Sequence, residues 1–322
     1  PLTLSAAIAE ARTSSPLRHA PAALVAGAND AFRYAGRLLN PSVDARVENF
    51  GLARRPALPL DVFAAVNQTL ELGGKRTLRK NIAEADAEVA LSGLQHTERG
   101  LALQTARQYL NALKARGVLD ALTANRDGLA TIIDSMRRRV TEGFAAESDL
   151  LKFETESART DIEIARATLD LERSLHSLAF VIGASHPITA GQLVEPTAVD
   201  PPQVTEAALP QIVERHPDVV AANARLARAR AITSFERARR IPDPMLAAGY
   251  KRTAGLDTAL AGVVIGVPLF DQNRASVARA IGEERAAAAD RDAIARRLVS
   301  EGAALLAAAR VLSDRAGRVA RD

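Results

Sequence analysis

The residues from which a metal centre could be built are five histidines, at positions 19, 96, 176, 186 and 216. None stands three or four positions from another ligand in a convincing cluster, and there is no cysteine to supply a thiolate. The lack of cysteine also removes disulfides and thiol nucleophiles. His186 and His216 sit beside Pro187 and Pro217 at segment boundaries, where surface residues are expected. Ser, His and Asp all occur, yet nothing resembles a nucleophile elbow or an ordered triad. Gly73-Gly74-Lys75 is followed by Arg rather than Ser or Thr, and it lacks the spacing of a phosphate loop. The two glycines read instead as a joint where a strand becomes a helix. No catalytic, metal or cofactor site is expected.

Asp44, Arg46 and Glu48 are candidates of another kind. They alternate with Val43, Ala45 and Val47, the period-2 signature of a strand with one polar and one apolar face. A half-exposed strand of a soluble protein has the same pattern. What separates the two readings is the set of elements around it, because the pattern occurs twice. An Ala-rich helical stretch runs to Asn40-Pro41, passes through strands at about 42–50 and 61–72, and becomes helical again at Lys75. Some two hundred residues later a helix opened by Pro217 runs to Asp243-Pro244, followed by strands at about 244–252 and 259–270 and a helix from Gln272. Pro41 and Pro244 end the helices, since a residue before proline is pushed out of the helical region. Pro41, Gly73, Gly74, Pro244 and Asp271 are thus the expected helix–strand joints.

The first unit spans 1–182. Thr3 or Ser5 caps a short opening helix, and Pro16 opens a second that runs to about Leu39. A helical hairpin occupies about 75–182, its first arm on the order of 100 Å long. Glu142, Gly143 and Phe144 form its tip, Gly143 because a tight turn needs positive φ, and Ser148-Asp149 restarts the helix. The return arm carries apolar or small residues at 3–4 spacing from Leu150 to Val181, with a second stripe at Ala158, Ile162, Ala165 and Leu169. Two seams imply neighbours on both sides. Residues 183–206 connect the units, and 207–322 form the second, expected to stop before its own hairpin tip.

Composition agrees with helices at close range: 48% hydrophobic, much of it alanine, with 3% aromatic and no tryptophan among 322 residues. A net charge of +4 from 42 basic and 38 acidic residues argues against nucleic acid. The longest apolar run, Ala259 to Phe270, is short of the roughly 20 residues of a membrane-spanning helix. Four strands cannot close a sheet, and open edges are prohibitive in lipid. Three copies would supply twelve, an even number within the bacterial barrel range. Polar faces would line a lumen and apolar faces would meet lipid.

Five segments in order carry a resemblance. They are Leu2-Thr3-Leu4, Asn40-Pro41, Leu70-Glu71-Leu72-Gly73-Gly74-Lys75-Arg76, Ile241-Pro242-Asp243-Pro244 with Gly249-Tyr250, and Val267-Pro268-Leu269-Phe270-Asp271-Gln272-Asn273. In these the chain resembles the outer-membrane efflux factors, the TolC-like trimeric channels, most closely their heavy-metal CzcC-like branch. The resemblance implies a mostly α protein with a small β part. Its duplicated helix–strand–strand–long-helix unit would build an elongated α-helical barrel and give four strands to a trimeric transmembrane β-barrel. It implies a homotrimer in the outer membrane of a Gram-negative bacterium, in contact with lipid and extending into the periplasm. It further implies a passive exit duct for heavy-metal cations, partnered by a periplasmic adaptor and a proton-driven inner-membrane pump. The adaptor would meet the tip at Glu142, Gly143, Phe144, Ser148 and Asp149. An exported ion needs a weakly binding polar wall, because tight coordination would stop it leaving. A duct for drug efflux or type I secretion is the alternative, and a soluble coiled-coil scaffold the second.

Overall fold

A computed structural model of the chain describes residues 1–48, 60–196 and 204–319. The order of elements is α1 (Leu4–Ser14), α2 (Pro16–Ala35), β1 (Ser42–Glu48), β2 (Asp61–Thr69), α3 (Lys75–Thr141), α4 (Glu147–Ile182), α5 (Leu209–Glu214), α6 (Pro217–Ala238), β3 (Pro244–Thr253), β4 (Leu256–Ile265) and α7 (Arg274–Val319). The series helix, helix, strand, strand, long helix therefore occurs twice. Contacts divide the chain into two compact units, 1–23 with 94–202 and 24–93 with 203–322. They cut across the repeats because α2 and α3 each run from one unit into the other.

The first unit has a small core of Ala7, Ala11, Tyr109, Ala112, Leu178, Ile182 and Leu193. Alanines on α1 let it lie close to its neighbours, and Gly183 allows still closer approach. Its φ is +72°, and a Cβ there would lie 2.2 Å from the Ser14 carbonyl oxygen. Thr3 caps α1 by accepting the Ala6 N–H, as its position predicts. The connector is tied down by a residue that the sequence pattern does not single out. The fully buried Tyr109 hydroxyl accepts the Val194 N–H at 2.9 Å and lies 2.6 Å from the carbonyl oxygens of Leu2 and Val194. Leu2 and Leu193 form a short parallel bridge beside it.

The second unit holds the sheet, whose order is β1-β2-β3-β4 with every neighbour antiparallel. Its central seam joins β2 of the first repeat to β3 of the second. In the same unit α6 packs on α7 through Thr233, whose hydroxyl donates to the Ala280 carbonyl at 3.2 Å.

Several boundaries differ from the sequence expectation. α2 ends at Ala35 rather than Leu39, because arginines of α3 bind the carbonyls at its end. β2 stops at Thr69, not 72. Leu70 still donates to the Pro244 carbonyl at 2.8 Å, but the Leu72 N–H is taken by the Asp243 carboxylate, also at 2.8 Å. β1 is described to Glu48; positions 49 and 50 of the expected strand lie outside the described residues. β3 and β4 meet in a two-residue turn, Ala254-Gly255, with φ of +51° and +85°. That pair of left-handed residues is the hairpin turn that matches strand twist, and alanine in the first position hid it. β4 therefore runs Leu256–Ile265 and not 259–270, and Gly266 and Pro268 end the ladder. α7 begins at Arg274, not Gln272, since Asn273 has φ +55°. α4 begins at Glu147 after an extended Ala146, so Ser148 and Asp149 lie inside its first turn.

Candidate functional site

The strand–helix joint is the most heavily cross-linked part of the second unit. Gly73 and Gly74 both have positive φ, +67° and +72°, which turns the chain from β2 into α3 within two residues. That turn places Lys75 at only 5% exposure, where its ammonium donates to the Ile241 carbonyl and lies 2.7 Å from the Asp243 carboxylate. Asp243 is thereby shared between Lys75 and the Leu72 N–H, and Pro244 directly after it opens β3. One turn into α3, Arg79 makes a forked pair with Glu71, at 2.9 and 2.6 Å. Its remaining donors reach the Ala35 and Arg37 carbonyls at 2.8 and 3.0 Å, and Arg76 reaches that of Gly36. Arginines thus satisfy the orphan carbonyls at the end of α2.

The second repeat has a sparser joint. Asp271 accepts the Asn273 N–H at 2.8 Å, and the Asn273 amide donates to the Glu236 carbonyl and carboxylate at 2.8 and 2.7 Å. Pro41 is exposed just before β1. Of the five sequence-derived joint residues, Pro41, Gly73, Gly74 and Asp271 lie between a strand and a helix, and Pro244 is the first residue of β3. Glu71, Arg79, Asp243 and Asn273 complete the network; Glu71 and Arg79 are eight positions apart, whereas Asp243 and Asn273 act on residues far along the chain.

Register sorts the sheet into two unlike faces. Asp44, Arg46 and Glu48 share one face with Asp61, Phe63, Asn67, Lys251, Thr253 and Thr258. The other face carries Val43, Ala45, Val47, Val62, Ala64, Val66, Leu246, Ala248, Ala259, Ala261, Val263 and Ile265. Near the β3–β4 turn this apolar face gains a polar border, where Tyr250 donates to Asp257 and Arg252 lies 3.6 Å from it. Ala65 on the polar face is 4% exposed, whereas Val66 beside it is 50% exposed on the other. With no helix among the described residues packed on either face, such a difference means that the sheet curls toward its polar side. Gly249 permits the curl, for a Cβ there would fall 2.3 Å from the Ala64 carbonyl oxygen. β4 departs from the pattern, with Leu256, Leu260 and Val264 on the polar face. Val43 is 74% and Val263 60% exposed, a contiguous apolar surface that water does not favour.

At the hairpin tip Gly143 has φ +79°, and the Gly143 and Phe144 N–H groups return to the Val140 and Arg139 carbonyls at 3.0 and 2.8 Å. This pair of bonds is a Schellman cap. It projects Phe144 into solvent at 74% exposure, with Glu142 and Ser148 also exposed. Asp149 is half-buried and pairs with Lys152 at 3.0 Å. Among the described residues no group of three or more His, Asp or Glu could hold a metal ion. No helix among the described residues is long and apolar enough to cross a membrane.

Comparison with known proteins adds independent findings. The model of the family described as "Outer membrane efflux protein" matches residues 7–184. The chain is 30% identical over 283 residues to the cobalt-zinc-cadmium resistance protein CzcC of Cupriavidus metallidurans, covering 87% of this chain and 66% of that protein. It is also 30% identical over 285 residues to the nickel and cobalt resistance protein CnrC of the same organism, covering 87% and 67%. The chain thus spans about two thirds of the length of these curated relatives. Among solved structures, CusC superposes with a TM-score of 0.81 at 17% identity, over 97% of this chain and 76% of that one. The Vibrio cholerae outer membrane protein VceC gives 0.76 at 18% identity, over 98% and 80%.

Proposed function

The chain belongs to the outer membrane efflux protein family, and on that premise we propose that it is one third of a trimeric outer-membrane duct through which heavy-metal cations leave the cell. It is a channel component, not an enzyme. The observation that carries the reading is the two-faced sheet, both edges of which are unpaired among the described residues. Because β1 and β4 run in opposite directions, β4 of one copy pairs antiparallel with β1 of the next, and three copies close a twelve-stranded wall. Strands of 9 to 10 residues in β2, β3 and β4 suit a tilted crossing of the bilayer. The apolar face then meets lipid, and the curled polar face with Asp44, Arg46 and Glu48 lines the lumen. The repeats, 1–182 and 207 onward with 183–206 between them, supply two hairpins of this wall per copy.

The joints aim α3 and α7 away from the membrane, so that helices of three copies continue the passage into the periplasm. The tip at Glu142, Gly143, Phe144, Ser148 and Asp149 is the docking point for a periplasmic adaptor, itself bound to a proton-driven pump. Metals are the proposed cargo because CzcC and CnrC, which match 87% of this chain at 30% identity, are metal-resistance proteins. A pump selects and the duct conducts, so a loosely polar wall without tight ligands is what transport requires.

Two measurements test this. Solubilised membranes should yield the protein as a trimer in the outer-membrane fraction; a water-soluble monomer would end the reading. Deleting the gene should sensitise cells to particular divalent cations. Unchanged metal tolerance with lost drug resistance would move the protein to the drug-efflux branch.

A further inference from the structure

One row across the polar face carries two cations around an aromatic ring. Arg46, Phe63, Lys251 and Thr258 are consecutive register partners on β1, β2, β3 and β4. The Arg46 guanidinium lies over the Phe63 ring, 4.7 Å from its centroid, and pairs with Asp44 at 2.9 Å. Lys251, on the other flank of Phe63, is exposed and has no ion pair among the described residues. The adjoining rows are acidic. Glu48 faces Asp61 on the side of the β3–β4 turn, and Asp44 faces Ala65 on the side of the helices. Charge on this face is therefore layered along the strands, negative, positive, negative.

We infer that Arg46 and Lys251, spaced by Phe63, form a cationic collar inside the barrel that sets its charge preference, favouring anions and hindering free cations at that height. The inference rests on the three-copy channel reading above, since one sheet alone encloses nothing. Rows two residues apart are about 7 Å apart along a strand, close to the screening length of about 8 Å at physiological salt. The fields of adjoining rows therefore overlap, and the positive row is felt most by an ion that passes close to the wall at that height. The phenyl ring holds the guanidinium at its face, which keeps the arginine charge at this height despite its pairing with Asp44. Lys251 adds a second charge to the row, exposed and without an ion pair among the described residues. Through such a collar a divalent cation crosses most readily with counter-anions or bound ligands, and bare cations outside do not drift back as freely.

The chain contains no cysteine, so a Lys251→Cys variant can be charged after it has folded. Wild type and variant are reconstituted in planar bilayers between unequal KCl solutions. Reversal potentials are then read before and after reaction with a cationic or an anionic methanethiosulfonate. The anionic adduct should lower the anion-to-cation permeability ratio about threefold relative to the cationic adduct, for three charges inverted some ~10 Å from the passing ion. Arg252→Cys, one residue on and on the opposite face, should give no difference between adducts. Equal ratios for the two Lys251→Cys adducts overturn the collar, as do equal shifts at 251 and 252 or a cysteine at 251 that does not react. A wild-type protein that opens no channel overturns the three-copy reading, and the collar with it.

Discussion

Gly73 is where a single methyl group would do most harm to the joint. Its φ is +67°, and an added Cβ would lie 2.7 Å from the Ile241 side chain; Gly74 has the same kind of φ but open space around it. Gly73→Ala should therefore cost more than Gly74→Ala, about 2 against about 1 kcal/mol, measured by thermal unfolding of the solubilised protein. Arg79→Leu should cost about 3 kcal/mol, because it strands the Glu71 carboxylate, 10% exposed, and leaves the end of α2 uncapped. Arg126 is the control. Its guanidinium pKa is raised, chiefly by its hydrogen bond to Asp127, yet both partners are exposed, and Arg126→Leu should leave the unfolding midpoint where it was. The glycines were legible because only left-handed backbone explains two of them between a strand and a helix. Arg79 was not, since beside Glu71 its acceptors are the Ala35 and Arg37 carbonyls, more than forty positions back at the end of α2.

At the scale of elements, the two faces of β3 can be told apart by one charge. Ala247 lies on the polar face and the more exposed Ala248 on the apolar one. In water the exposed position would tolerate lysine better. In a bilayer the order reverses, and Ala248→Lys should destabilise by about 2–4 kcal/mol while Ala247→Lys is tolerated, as read by denaturant unfolding in lipid vesicles. The hairpin tip supports a different contrast. Phe144→Ser removes a ring that touches almost nothing in the protomer, so it should leave stability unchanged and abolish metal resistance in cells. Gly143→Ala should instead weaken the cap by about 1 kcal/mol. Element type and order followed from periodicity and from breakers such as Pro41, Pro217 and Pro244. The ends of β4 did not, because an Ala-Gly turn carries none of the asparagine or aspartate that marks a tight hairpin, and Val267-Pro268-Leu269-Phe270 has the apolar content of a strand without its hydrogen bonds. Bridging side chains such as Asn273 and Tyr109 were equally hidden, as each acts on residues far along the chain.

For the whole molecule, duplication was the most legible feature, since it needs only like segments in like order. The shortage of strands followed from it. The division into units that cut across the repeats could not, because it depends on where long helices pass between neighbours. The central seam of the sheet, β2 against β3, has a consequence for biogenesis. Asp61 of one strand accepts the N–H of Ala254 across 193 positions of chain, so the seam cannot form until β3, nearly two hundred residues after β2, has been made. An isolated two-stranded hairpin is marginal in water, and closure over so long a loop is slow. The nascent chain therefore waits with its first apolar ribbon unpaired on one edge until the later ribbon arrives. Commitment to the bilayer becomes a single late event, and a polypeptide released early has nothing it can insert.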